Sequence, residues 1–150
     1  MNKNNLFWSC MAAGTLLLLF TGVWLLGIKK SADNFSPRAA RIGARTYVLE
    51  KARSDAERKK GLSKRESLCG ECGMLFVFEQ PGQYAFWMKD MLFPLDIIWL
   101  LGGRVVFVAH GVAPDFSGVI EPGVLADQVI EINTGEADGL KLGEMVEFLR

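Results

Sequence analysis

The chain has 150 residues, with 17 Lys/Arg balanced by 17 Asp/Glu and half of its residues hydrophobic. That length holds one domain plus an appendage. Zero net charge, with no aromatics among the basic residues beyond Tyr47, argues against a nucleic-acid partner.

The charge is unevenly spread. Residues 31–65 carry ten Lys/Arg against four Asp/Glu, whereas residues 66–150 carry four against thirteen. A basic segment beside a membrane suits anionic headgroups. The plainer reading of the same charges is a solvated helix face and a linker.

Met11 to Ile28 contains no charge, and Leu6-Phe7-Trp8 extends the apolar run upstream. Eighteen helical residues span about 27 Å, close to the hydrocarbon thickness of a bilayer. A cleaved secretory signal has a shorter apolar region and a small-residue cleavage site, but here Lys29-Lys30 follows directly. A lipoprotein signal needs a cysteine after the apolar run, and Cys10 precedes it. Residues 1–28 therefore read as an uncleaved, single-pass signal anchor that meets the membrane through residues 6–28. Counted literally, Lys29, Lys30, Arg38, Arg41 and Arg45 would keep the following domain in the cytoplasm. The very short N-terminal tail is instead the layout of a secretory-type anchor, so a periplasmic or cell-surface domain is expected. Residues 29–44, polar and without periodicity, read as a linker, and residues 45–150 as a β-rich globular domain.

Arg45–Glu50 alternates as a strand should, with Tyr47 and Leu49 on one face. Ser54 and Glu57 form a capping box, and Gly61 after Arg58-Lys59-Lys60 is a natural helix stop. This predicts a helix of under two turns, held by packing rather than propensity. Met74–Glu79 is apolar on both faces, as in a strand covered on both sides. Gln80-Pro81-Gly82-Gln83 has the Pro-Gly centre of a type II turn, so Tyr84–Lys89 is expected to return antiparallel. Leu95–Leu101 and Arg104–His110 flank a Gly102-Gly103 hairpin turn. Residues 111–126 form a long loop, of the kind that often carries function. Gln128–Ile132 is a further strand, residues 134–142 a short helix or turn, and Met145–Leu149 the last strand. The fold class expected is mainly β, a compact β-sandwich or barrel-like domain with one or two short helices.

Cys69-Gly70-Glu71-Cys72 has the spacing of a disulfide, a redox pair or half a zinc site. Zinc wants four Cys/His ligands, and only His110 and the membrane-side Cys10 could add to the pair, so no metal is expected. A redox motif should open a helix after a strand, whereas this pair leads into a strand through Gly73. A loop disulfide, or two idle thiols, is the plain alternative. His110 is the single histidine. A triad with Ser117 and Asp115 or Asp127 would need geometry that no elbow motif fixes here.

Residues 81–100, PGQYAFWMKDMLFPLDIIWL, set Lys89, Asp90 and Asp96 among Trp87, Met88, Phe93 and Trp99. A polar group buried without a partner costs roughly 1–3 kcal/mol, and an unpaired charge more. Alternation puts Asp96 on the face of Ile98 and Leu100. The three charged residues either hold the Phe93-Pro94 turn as a bonded cluster or supply an acid–base site in which Lys89 meets Asp96 beside Trp87.

Met74-Leu75-Phe76-Val77-Phe78, Pro81, Phe86-Trp87-Met88-Lys89 and Pro94-Leu95-Asp96-Ile97-Ile98 strongly resemble the signature of the bacterial and archaeal family known as domain of unknown function 192. Glu57-Arg58, Gly61-Leu62 and Gly73 are similar to its upstream elements, and Val129–Ile132, Gly135 and Gly143 to its closing pattern. The resemblance spans roughly residues 46–149. It implies a small β-rich domain, often secreted or membrane-tethered, and no particular activity. Carried over position by position, it points to Arg58, Trp87, Lys89 and Asp96. Asp90-Met91 and Gly143-Glu144 depart from the family's usual residues, and the Cys69/Cys72 pair lies outside its pattern.

The function expected is a membrane-anchored accessory domain that binds a small ligand or a protein partner without turnover or cofactor. Its binding residues would be Arg58, Phe86, Trp87, Met88, Lys89 and Asp96. A hydrolase using Asp96 and Lys89, and a thiol–disulfide protein using Cys69 and Cys72, are the alternatives.

Overall fold

The computed structural model describes residues 39–149. In chain order the elements are β1 (Ala39–Ile42), β2 (Arg45–Ala52), α1 (Asp55–Lys60), β3 (Cys72–Gly82), β4 (Phe86–Trp87), β5 (Leu95–Leu101), β6 (Arg104–Val112), β7 (Val119–Ile120), β8 (Ala126–Asn133) and β9 (Glu147–Leu149). Seven strands make one sheet in the order β6-β5-β8-β3-β2-β1-β9, and β4 and β7 make a separate two-stranded ribbon. The β2–β3 pair is parallel, with α1 in the connection, and the other pairs are antiparallel.

The two edges of the large sheet approach each other. Arg104, at the start of β6, bridges to Met145, just before β9. The Val105 N–H donates to the Glu144 carbonyl and the Val146 N–H to the Gly103 carbonyl, both at 2.9 Å. The sheet therefore curls into a half-barrel, so that of the expected sandwich or barrel-like arrangements the structure is nearer the barrel-like one.

Each face of the curled sheet carries its own core. Along β5, Ile98 and Leu100 join an inner cluster with Tyr47, Leu75, Ile130 and Ile132. Leu95, Ile97 and Trp99 join an outer cluster with Phe76, Met88 and Val129. Burial on both faces is why β5 reads as a continuous apolar run.

The local signals for α1 are realised. The Glu57 N–H donates to the Ser54 hydroxyl, the Glu57 carboxylate accepts from the Ser54 N–H, and Gly61 ends the helix. Gly102 and Gly103 turn the β5–β6 hairpin with φ of 57° and 77°, as a tight hairpin between twisted strands demands.

Two local expectations are corrected. Residues 39–42 lie within the segment read as linker, yet they form β1 between β2 and β9, and bury Ala40 and Ile42. The Pro81-Gly82 turn does not form, because β3 runs through Gly82. Pro81, which has no N–H to donate, falls where the ladder to β8 is irregular, between Val77 and Gly82. The returning strand shrinks to β4, which pairs with β7. The membrane span expected at residues 6–28 lies outside the described residues. Among those described, no helix is long and apolar enough to cross a membrane.

Candidate ligand-binding site

A cavity of about 200 Å³ opens between α1, with the turn that follows it, and the outer face of the sheet. Its walls include Phe76, Phe78, Phe86 and Trp87. Arg58, Lys59 and Lys60 come from the helix, and Glu131 comes from β8. Register explains the aromatic wall. Phe76 and Phe78 alternate outward on β3, and Phe86 stands edge-on to Phe76 at 4.9 Å and to Trp99 at 5.4 Å. Trp99 is fixed in turn, its indole N–H donating to the Tyr84 carbonyl at 2.8 Å. Such offset and edge-on contacts add to the stabilisation that burial provides.

Glu131 is the unusual member. It is 5% exposed, in a strand whose neighbours Val129, Ile130 and Ile132 are fully buried. Its Oε2 is buried with no hydrogen-bond partner among the described residues. Burial pushes its carboxyl up to about 8, with the Arg65 charge pulling the other way. Arg65 is otherwise committed, since its guanidinium donates to both oxygens of Glu50 at 2.6 and 2.7 Å. The chain passes over this carboxyl at Gly61, where the positive φ, rather than any lack of space, is what favours glycine. Its φ is +51°, and a Cβ there would lie 3.6 Å from Oε2.

The residues singled out from sequence divide. Arg58, Phe86 and Trp87 line the cavity. Arg58 is held by bonds to the Arg53 carbonyl and the Asp55 carboxylate, with its guanidinium 5.5 Å from the Phe78 ring centroid. Trp87 is 48% exposed, opposite Val119. Met88 is buried in the outer cluster.

Lys89 and Asp90 are exposed in the turn after β4. This turn braces the one that follows α1: the Ser63 hydroxyl donates to the Lys89 carbonyl at 2.9 Å, and the Lys64 N–H to the Asp90 carbonyl at 2.8 Å. The Trp-Met-Lys-Asp motif thus supports the roof over Glu131 through its backbone.

Asp96 is fully buried on the inner face and does not meet Lys89. Its Oδ1 accepts from the Gly111 N–H at 2.7 Å and its Oδ2 from the Ala137 N–H at 2.9 Å. It therefore ties the end of β6 and the turn after β8 to β5. Asp96, His110 and Asp138 also bring one ligand-type atom each within 4.8 Å of one another. Both Asp96 oxygens there already hold backbone amides, and His110 and Asp138 are exposed at 3.9 Å. Cys69 and Cys72 form a disulfide, with Cα atoms 5.2 Å apart, at the entry to β3.

Sequence reasoning missed Glu131. The signal available was an acid within Gln128–Ile132, which alternation alone assigns to a solvated face.

These features define a small, mainly β domain, a curled half-barrel with a cavity on the outer face of its sheet. Its residues 38–148 match the family model described as "Uncharacterized ACR, COG1430", DUF192, and the chain belongs to that family. It is similar to a crystal structure of a protein of unknown function from Novosphingobium aromaticivorans DSM 12444. That match has 34% identity and a TM-score of 0.68 over 74% of this chain and 83% of the other. A protein from Sinorhizobium meliloti 1021, described as a candidate transcription regulator, shares the fold. It has 23% identity and a TM-score of 0.67 over 73% of this chain and 89% of that one. Among curated proteins none matches the chain.

Proposed function

We propose that this chain is a membrane-tethered accessory domain, facing outside the cytoplasm, that holds a small ligand in the cavity beneath α1. The observation that carries the reading is the Glu131 carboxyl, sealed in an apolar strand and left without a partner where it meets the cavity. Buried polar atoms in folded proteins are overwhelmingly bonded, so an exception beside a cavity asks for a ligand. The aromatic wall supplies apolar contact and Lys59 and Lys60 supply positive charge at the mouth. The geometry gives no comparable support to hydrolysis by Lys89 and Asp96, which are not brought together. The uncharged run Met11–Ile28, long enough as a helix to span a bilayer, supports the tether, and the Cys69–Cys72 disulfide suits an oxidising compartment.

The test is a thermal-shift screen of the full chain in detergent against small aromatic and aliphatic carboxylates, ketones and amides. At least one compound class should raise the midpoint. Trp87→Ala and Lys60→Glu should weaken that response while leaving the ligand-free midpoint in place. A screen in which nothing binds, or binding indifferent to both substitutions, would remove the cavity from consideration. For the tether, alkaline phosphatase fused after the last residue should be active in cells, and an inactive fusion would place the domain inside.

A further inference from the structure

Glu131 stands on β8 between Met74 of β3 and Ile97 of β5, neither of which offers it a charge or a donor. The charged and titratable groups around it are few. Arg65, from the turn after α1, is tied to Glu50 of β2. Asp55 and Arg58 of α1 pair with each other. Lys59 and Lys60 are exposed on the cavity wall. The Tyr84 hydroxyl, also on the wall, donates to the Gln80 carbonyl at 2.6 Å. A buried carboxyl to which no donor is bonded is far more stable neutral than ionised. A neutral carboxyl carries one proton to give away and so needs an acceptor, and no described residue supplies one to Oε2.

We infer that Glu131 is held as the neutral acid and donates its proton, in a hydrogen bond, to an uncharged acceptor oxygen on the ligand. On this basis the cavity takes a small organic anion with a carbonyl or hydroxyl at one end and its negative group at the other. The acceptor reaches Glu131 at the floor, the apolar body lies among Phe76, Phe78 and Phe86, and the anionic end meets Lys59 and Lys60 at the mouth. Burial raises the affinity of Glu131 for its proton by more than the Arg65 charge lowers it, which leaves the acid form in place at neutral pH. The inference rests on the binding reading above and adds the chemistry of the ligand to it.

Three matched probes test it by calorimetric titration into the full chain. They are 4-acetylbenzoate, with both features, 4-ethylbenzoate, without the acceptor, and 4-acetylbenzamide, without the charge. At about pH 6 the first should bind about tenfold tighter than either of the others, the gap expected for one good hydrogen bond or charge contact. At about pH 9.5, with Glu131 ionised, the advantage over 4-ethylbenzoate should vanish. In Glu131→Gln, whose amide still donates, that advantage should persist at both pH values. The infrared band of a protonated carboxyl, present in the ligand-free protein near neutral pH and absent in Glu131→Gln, reads the same proton without any ligand. Equal binding of 4-acetylbenzoate and 4-ethylbenzoate at the lower pH, or no such band, overturns the inference while leaving the cavity a binding site. Failure of all three probes alongside an empty thermal-shift screen overturns the binding reading itself.

Discussion

Two acidic side chains are buried in neighbouring strands of the same sheet, and their surroundings are opposite. Asp96 of β5 lies opposite Ile132, and Glu131 of β8 lies opposite Ile97, so the two acids point to different faces. Asp96, on the inner face, has each oxygen bonded to a backbone amide, one from the β6 end and one from the turn after β8. Glu131, on the outer face, is roofed by the turn after α1 and has an oxygen with no partner. A carboxylate that gathers backbone N–H groups is a structural fastener, since it satisfies donors that the loops would otherwise bury unpaired. One placed in an apolar strand without donors contributes nothing of that kind to folding and is better understood through what enters the space beside it.

The sharpest way to break this comparison is to remove each acid in turn. Asp96→Ala should cost roughly 3–6 kcal/mol in chemical denaturation, from two charged hydrogen bonds worth about 1.5–3 kcal/mol each. A loss under 1 kcal/mol, on the order of an ordinary surface change, would deny Asp96 its fastening role. Glu131 should behave in the opposite sense and through pH. Its carboxyl is raised from 4.5 to about 8 in the fold. Between those values the unfolded chain has lost the proton that the folded chain keeps. The stability associated with this group is therefore fully present below the lower value, declines as pH rises through the window, and levels off above the upper one. The slope is roughly 1.4 kcal/mol per pH unit. Glu131→Gln should flatten it, and an unchanged slope in that variant would assign the pH dependence to other groups.

Legibility in the sequence followed how local each signal was. The helix from Ser54 to Gly61 and the hairpin at Gly102-Gly103 are encoded by residues within one turn of each other, and both form as read. The apolar run Leu95–Leu101 and the place of Asp96 with Ile98 and Leu100 follow from alternation alone. β1 was hidden, because Ala39–Ile42 becomes a strand only between β2 and a segment a hundred residues later. The Pro81 turn misled because a Pro-Gly pair also fits a strand irregularity. Arg58, Phe86 and Trp87 were picked out, and they do share a cavity. Glu131 was not, since its burial depends on a turn some seventy residues away in sequence. The partners that satisfy Asp96, at Gly111 and Ala137, lie 15 and 41 residues further along, also beyond the reach of a local pattern.

If polarity on the inner face is architectural throughout, its other polar contact should matter to stability alone. The Tyr47 hydroxyl, in a fully buried residue, donates to Glu136 Oε2 at 2.6 Å, and Arg45 pairs with the same carboxylate. Burial comes first among the causes that push the Tyr47 phenol up to about 12, with the Glu136 contact adding to it. Glu136 adjoins Ala137, whose amide Asp96 holds, so both contacts secure one turn. Tyr47→Phe should lower stability by about 1–2 kcal/mol, leaving the affinity of any cavity ligand unchanged. An affinity change as large as the stability change would mean that the two faces are coupled through the sheet.

The smallest effect is expected at Lys89, which the sequence placed with Asp96 as a candidate for acid–base chemistry. Its side chain is exposed, and its contribution runs through a carbonyl that accepts from Ser63, which any residue supplies. Lys89→Ala should therefore shift stability by no more than about 0.5 kcal/mol, as for an ordinary surface change. It should also leave ligand affinity as it was, whereas Ser63→Ala, which removes the hydroxyl bracing the roof of the cavity, should lower stability by about 1 kcal/mol. Should Lys89→Ala weaken binding while Ser63→Ala does not, the lysine side chain itself would reach the ligand. The positive charge at the mouth would then extend from α1 across to the turn after β4.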